Sequence, residues 1–280
     1  MTKIKPTKEQ LQEAYARLKS TRKVGVKFNY TGETIRTFMH EYGLEVITPS
    51  VDKYTCDHDF FICDNEETFY IAGFIAADGC VKARRGKLNP SIVALALGVQ
   101  DETHLERIRC AMKVGNPLSK KIVKNSLRNP EWKDSEEREL AFTSVKMCQD
   151  IRRFNIVPRK SLIYTFPEWL IEHPLVHHFM RGYNDGDGSF YINPGVNTPQ
   201  VYFSLRGTPP FLAVYRSILE RECSLPERLK KIRVNTGIGV LEYGGNGVVG
   251  KIVDFLYKDA NIFLPRKHEI AVKTNNYEIY

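Results

Sequence analysis

One pattern is written twice in this chain, and that repetition constrains the fold more than any other feature. Residues 73–80 read GFIAADGC and residues 182–189 read GYNDGDGS, so that Asp78 and Asp187 stand in matching positions 109 residues apart. Three more pairs keep nearly the same offset: KKIVKN (120–125) with KKIRVN (230–235), NIVPRKS (155–161) with NIFLPRKH (261–268), and Gly98 with Gly207. Hydrophobic periodicity follows the same course in both copies. The first predicts helix 69–78, strands 79–84 and 91–98, helix 101–112, strands 120–125 and 139–144, and helix 145–154. The second predicts helix 175–187, strands 188–193 and 200–207, helix 209–220, strands 230–235 and 239–243, and helix 245–259. The expected class is therefore α+β, with two αββαββα halves at 66–165 and 166–280.

The repeated motif also says how the halves meet. Gly73 and Ala77, like Gly182 and Gly186, are i,i+4 neighbours on one helix face. Small residues at that spacing let two helix backbones approach closely. If the motif helices pack through these faces, Asp78 and Asp187 come together, each at a helix C-terminus. That end of the dipole is negative and the neighbour is a like charge, so the pair calls for a cation. Two hard carboxylates suit Mg²⁺ or Mn²⁺, with water and phosphate oxygens completing the shell. A cation so held can assist phosphodiester hydrolysis. Gly79 and Gly188 let the chain turn from helix into strand.

After each motif the strands alternate. Val81, Phe190, Val201, Phe203 and Leu205 mark a packed face. The other face carries Lys82, Arg84, Lys121 and Asn125 in the first half. In the second it carries Ser189, Tyr191, Asn193, Gln200, Tyr202, Ser204, Arg206, Lys231, Arg233 and Asn235. Long cationic, amide and hydroxyl side chains on a sheet match the phosphates and base edges of a duplex. Alternation alone would also produce a merely solvated face, and the acidic pair at the ends of the same strands favours the nucleic-acid reading. The net charge of +8 agrees with a polyanionic partner.

Residues 1–47 read as a small all-α module. Leu11, Ala14, Tyr15 and Leu18 form one stripe after Thr7, Val24, Val26 and Phe28 fall in a short second helix, and Ile35, Phe38, Met39 and Tyr42 form a third stripe ended by Gly43. A tight turn at Tyr30-Thr31-Gly32 before the last helix fits a helix-turn-helix, which would expose Arg36, Thr37 and His40 to DNA. Residues 48–65 lack periodicity and read as a linker.

These motifs resemble those of the LAGLIDADG homing endonucleases. IAGFIAADG (71–79) matches the signature in most positions and MRGYNDGDG (180–188) more loosely, while the junction 155–192 and the stretch 254–268 are similar to corresponding parts of phage and bacterial members. The resemblance spans about residues 66–270. It implies a monomer of two pseudo-symmetric halves forming a saddle of antiparallel sheets over a long asymmetric site in double-stranded DNA. It also implies divalent-metal cleavage of both strands with 3′ overhangs. Catalysis and metal binding then fall to Asp78 and Asp187, with Gly79 and Gly188 beside them at the metal. Lys146, Lys160 and Lys267 are candidates for basic support. The motif's earlier acidic position is Ala76 in one copy and Asp185 in the other, so Asp185 receives no catalytic role.

Other chemistries fit less well. Cys56, His58 and Cys63 lack a second ligand pair at zinc-finger spacing. An EF-hand reading of Asp185, Asp187 and Ser189 fails, because Phe190 stands where Gly is needed and Val196 where the bidentate Glu is needed. No splice-start Cys or Ser and no terminal His-Asn pair speaks for an intein. A polar start and the lack of a long apolar run lead to the expectation of a cytoplasmic protein without a membrane partner. A transcription regulator or an intron RNA maturase on the same fold is the alternative to an endonuclease. Retention of both crowded carboxylates favours the enzyme.

Overall fold

The computed structural model describes residues 5–18, 20–46, 55–127, 129–194, 199–226 and 232–276. The chain divides into two compact units, Met1–Thr55 and Cys56–Tyr280.

In the first unit, α1 (Lys8–Leu18), α2 (Thr21–Phe28) and α3 (Gly32–Glu41) enclose a core of Leu11, Ala14, Tyr15, Val24, Ile35 and Met39. Side chains close each helix start. Thr7 and Gln10 exchange reciprocal bonds (Gln10 N to Thr7 Oγ1, 3.3 Å; Thr7 N to Gln10 Oε1, 3.0 Å), Ser20 accepts from Lys23 N, and Thr31 accepts from Thr34 N. The turn lies slightly earlier than the sequence suggested. Asn29 takes the left-handed conformation (φ 58°) that ends α2, Thr31 caps α3, and Gly32 is already helical. Gly25 is required by close approach, since a Cβ there would lie 2.5 Å from the Tyr30 carbonyl oxygen. Val26, expected on the apolar side of α2, is 79% exposed.

The second unit runs α4 (Glu66–Ala77), β1 (Gly79–Ala83), β2 (Pro90–Gly98), α5 (Glu102–Ala111), β3 (Ser119–Val123), β4 (Ser135–Thr143) and α6 (Val145–Asp150). It then repeats the order as α7 (Val176–Asp187), β5 (Gly188–Asn193), β6 (Gln200–Gly207), α8 (Pro209–Glu222), β7 (Arg233–Asn235), β8 (Ile238–Gly244) and α9 (Asn246–Leu256). The strands form two antiparallel four-stranded sheets, β1-β2-β4-β3 and β5-β6-β8-β7, identical in order. A last helix, α10 (Pro265–Ala271), was not anticipated. Pro at its first turn is compatible with a helix start, although the segment is too short for a clear period. Helix 145–154 is α only to Asp150 and tightens to a 3₁₀ turn through Phe154.

One core serves both halves. Its centre is the crossing of α4 and α7, where the main chains touch without intervening side chains. A Cβ on Gly73 would run into the Phe179 carbonyl and lie 2.9 Å from Tyr183 N, and one on Gly182 would run into the Tyr70 carbonyl and lie 2.9 Å from Phe74 N. Part of the expected linker belongs to this core as well. Phe60 and Phe61 are buried in it, and Asp57 N donates to the Met112 carbonyl. Aromatic pairs carry no helical or strand period, so the stretch looked featureless in sequence.

The start of α4 is tied to the chain that follows α9. Arg181 is fully buried and donates to the Leu256 and Ile262 carbonyls and to Glu66 Oε1 at 2.7 Å. Glu66 also accepts from Asn261 N, Asn261 Nδ2 and Ile262 N. Burial alone would raise the Glu66 pKa, but these hydrogen bonds and the Arg181 charge hold it below the usual carboxylate range. Among the described residues no helix is long and apolar enough to cross a membrane.

Candidate active site at the paired helix ends

Both motif helices end at the same place because of the small residues along their crossing. Gly186 faces Ala77, and a Cβ added to Gly186 would also come within 3.5 Å of the Asp78 carboxyl carbon. Asp78 caps α4 and Asp187 is the last residue of α7. Both residues are solvent-exposed, with a wall of packed protein behind their carboxylates. That wall raises the Asp78 pKa by desolvation, the charge of Asp187 adds to it, and together they push it up to about 6. Desolvation likewise raises Asp187, against the opposing pull of Lys160, Lys267 and a hydrogen bond from Tyr183. The solvent-facing side tempers these shifts, and it is also the side from which a ligand can enter.

The two lysines are cations supplied by the chain itself. Lys160 Nζ donates to the Gly79 carbonyl at 2.8 Å and lies 3.5 Å from that of Ala77. Lys267 Nζ reaches the carbonyls of Asn184, Asp185, Gly186 and Gly188 at 2.5–3.0 Å. Both side chains are almost fully buried, and burial pushes their pKa values down while the nearby carboxylates push them back up. Each ammonium thus answers the negative end of a motif helix. The lysines brace the half-domain ends and flank the carboxylates at once. The Gly79 and Gly188 carbonyls, expected at a metal, are engaged by these ammonium groups. The two carboxylates are therefore the principal free oxygen donors.

Two hard, crowded carboxylates facing solvent fit a divalent cation of the Mg²⁺ class, whose remaining ligands would be water and substrate oxygen. Among the described residues no three His, Cys, Asp or Glu side chains are grouped to hold a metal. This includes Cys56, His58 and Cys63, where His58 Nδ1 lies 2.8 Å from Ser144 Oγ instead.

Asp185 is part of the packing between halves. It accepts from Tyr70 Oη on α4 (2.8 Å) and from Leu264 N (2.7 Å), with Tyr257 Oη at 3.4 Å. Lys146 lies on α6, pairs with Asp59 and Asp150, and takes no part in the group around Asp78 and Asp187. Tyr183 was missed. Its spacing of four from Asp187 on a predicted helix is the signal that points to the bond between them.

Six polar residues expected on the second sheet are direct cross-strand partners: Ser189 with Ser204, Tyr191 with Tyr202, and Asn193 with Gln200. The Tyr191 and Tyr202 rings stack with centroids 5.2 Å apart. Arg206 and Arg233 flank Val240 on that same face, and the Arg206 charge acts on Asp187. Asn235 belongs to β7, and Lys231 lies outside the described residues. On the first sheet Lys82 and Lys121 share the open face, while Arg84 lies just past β1 and donates to Thr143 Oγ1. Asn125 departs from its expected strand. It begins a 3₁₀ turn, and its amide is used inside the hairpin by the Lys133 carbonyl and Ser135 Oγ. In the separate N-terminal unit, Arg36, Thr37 and His40 are exposed on α3.

Asn184 is the polar counterpart of Ile75. It is fully buried, and neither amide atom has a hydrogen-bond partner among the described residues. Asn184→Leu should stabilise the second unit by about 1–3 kcal/mol, the usual cost of an unpaired buried polar group. Urea unfolding followed by tryptophan fluorescence checks this, because Trp132 and Trp169 both lie in that unit. A lower midpoint would mean that the amide has a partner after all.

No protein-family profile matches the chain, and no curated protein matches it. Solved structures do match. The homing endonuclease I-WcaI bound to its DNA recognition sequence aligns with a TM-score of 0.53 and 13% identity, over 74% of this chain and 85% of that one. The LAGLIDADG meganuclease I-CpaMI bound to uncleaved DNA aligns with a TM-score of 0.49 and 14% identity, over 76% and 90% of the two chains. At such identity the likeness is one of architecture. It agrees with the doubled strand order and the glycine-mediated helix crossing, and the chain carries the fold of the LAGLIDADG homing endonucleases.

Proposed function

We propose that this protein is a site-specific endonuclease acting on double-stranded DNA. The observation that carries the reading is the pairing of Asp78 and Asp187 at the ends of the crossed motif helices, where desolvation disfavours both charged forms and the charge of Asp187 adds to it at Asp78. A protein that only bound DNA would lose affinity by directing two carboxylates at phosphates. Asp78 and Asp187 would hold a divalent cation, which when bound would supply positive charge to a phosphodiester and lower the pKa of a bound water. The chain's own residues do the rest. Lys160 and Lys267 hold the helix ends rigid and offset carboxylate charge. Tyr183 orients Asp187. Arg206, on the adjoining sheet face, is available to a phosphate. The open faces of the two sheets grip the duplex on either side of the scissile bonds, and their different side chains suit a long asymmetric target. Cleavage of both strands by a monomer, leaving 3′ overhangs, belongs to this proposal.

The N-terminal unit is a second DNA grip in this reading. Its support is the left-handed Asn29 turn, the close approach at Gly25, and the exposed Arg36, Thr37 and His40. The test uses a duplex in which the sequences flanking the protein's own gene are joined directly, incubated with protein and Mg²⁺, followed by mapping of the ends. A double-strand cut near the junction is expected, abolished by EDTA. Removing residues 1–47 should weaken binding and flatten its salt dependence while leaving cleavage at high protein concentration. Tight, specific binding without any cut would favour a regulator instead.

A further inference from the structure

The open faces of the two sheets carry carboxylates as well as cations, and the carboxylates occupy central positions. On the first sheet, Glu137 is the direct cross-strand partner of Lys121, with 2.9 Å between their charged atoms. Glu139 lies 4.0 Å from Lys82, which reaches it across the small side chains of β2. On the second sheet, Glu242 pairs with Arg233 one diagonal step away. In all three pairs the cation is the more exposed member: the carboxylate side chains are 23–27% exposed and the cations 45–71%.

A surface that served only to attract a polyanion would gain nothing from these acids. Each cancels a neighbouring cation and repels phosphate. What an acid beside a cation offers is one hydrogen-bond acceptor next to one donor. Both kinds of base pair present donors beside acceptors in the major groove, but a charged pair is matched best by G·C, where guanine presents the N7 and O6 acceptors and cytosine the N4 donor. Glutamate accepts from cytosine N4, and lysine or arginine donates to guanine. We propose that Glu137, Glu139 and Glu242 are specificity-determining residues, each reading a G·C base pair together with its paired Lys121, Lys82 or Arg233. This rests on the DNA-binding reading above and adds to it the identity of three base pairs.

The fold supplies its own control. Lys120 and Glu136 form an ion pair of the same chemistry on the same two strands, but on the opposite face. The test selects duplexes from a pool with a randomised central segment, in EDTA, using the full chain and its Glu137→Gln, Glu139→Gln, Glu242→Gln and Glu136→Gln variants. The unaltered protein should enrich G·C at discrete positions. Each of the first three variants should lose about tenfold or more of that preference at one position and gain A·T there, since a glutamine amide is bidentate to adenine. The rest of the selected site should stay the same, and Glu136→Gln should select as the unaltered protein does. Uniformly tighter binding to every sequence, or no change, overturns the inference and leaves the nuclease reading intact. If the unaltered protein selects no sequence at all, both fail together.

Discussion

Asp78→Asn and Asp187→Asn should each slow DNA strand cleavage by about a thousandfold or more, with DNA affinity changed by less than a factor of about three. Asparagine keeps the size of the side chain and one oxygen but removes the charge that would hold a divalent cation. A thousandfold corresponds to about 4 kcal/mol of transition-state stabilisation, the scale expected when cation binding is lost at a reacting phosphate. In the proposed function affinity is carried elsewhere, by the two sheet faces and the N-terminal unit, so it should survive. Folding should survive too. The ionised form of Asp78 is disfavoured in the folded protein, as its pKa near 6 records, and the neutral amide relieves that conflict above pH 6. The denaturation midpoint of Asp78→Asn in the absence of metal should therefore be equal or higher. Single-turnover cleavage, gel-shift affinity and urea unfolding on the same preparations separate the three effects. Metal-dependent cleavage that persists in the Asp78→Asn, Asp187→Asn double variant would remove the pair from the chemistry.

The doubled architecture was readable from the sequence because it depends on short-range regularities. The small residues at i and i+4 of each motif fix which helix faces meet, and strand alternation fixes which face of each sheet stays open. Both are periodicities of a single element. What the sequence did not disclose depends on contacts across long stretches of chain. Phe60 and Phe61 looked like linker because their partners lie in the core of a unit that begins at Cys56. Asn125 fell in strand phase, but the hairpin turns before it and uses its amide locally. Lys160 and Lys267 stood out only as a repeated pair, and their destination at the helix-end carbonyls required the fold to bring positions about 80 residues distant together. Arg181 gave no sign at all. Its place inside the structure is set by the Leu256 carbonyl at the end of α9, the Ile262 carbonyl beyond it and Glu66 at the start of α4. The acid that most catches the eye in the second motif, Asp185, proved to bind two halves together by way of Tyr70.

The second large effect concerns the crossing itself, and its sign alone is decisive. Alanine in the middle of an exposed helix is more favourable than glycine by about 1 kcal/mol, so a glycine without a packing role is improved by Gly→Ala. At Gly182 the opposite is expected, a loss of about 3 kcal/mol or more. The added Cβ meets the Tyr70 carbonyl and Phe74 N, which are main-chain atoms of the facing helix and cannot rotate away. Relief requires α4 and α7 to move apart, and that motion opens the centre of a densely packed core. It also draws Asp78 away from Asp187, so cleavage should fall further than the folded fraction does. Gly98→Ala is the matched comparison. There the atoms nearest the new Cβ belong to the exposed side-chain amide of Gln100, which can swing into solvent, and the cost should stay below about 1 kcal/mol. The N-terminal unit has its own core and should keep its helical signal in either variant. Equilibrium unfolding measures both substitutions. If Gly182→Ala were as stable as the unaltered chain, the backbone contact at the crossing would not exist, and the reason for the two carboxylates to share one site would go with it.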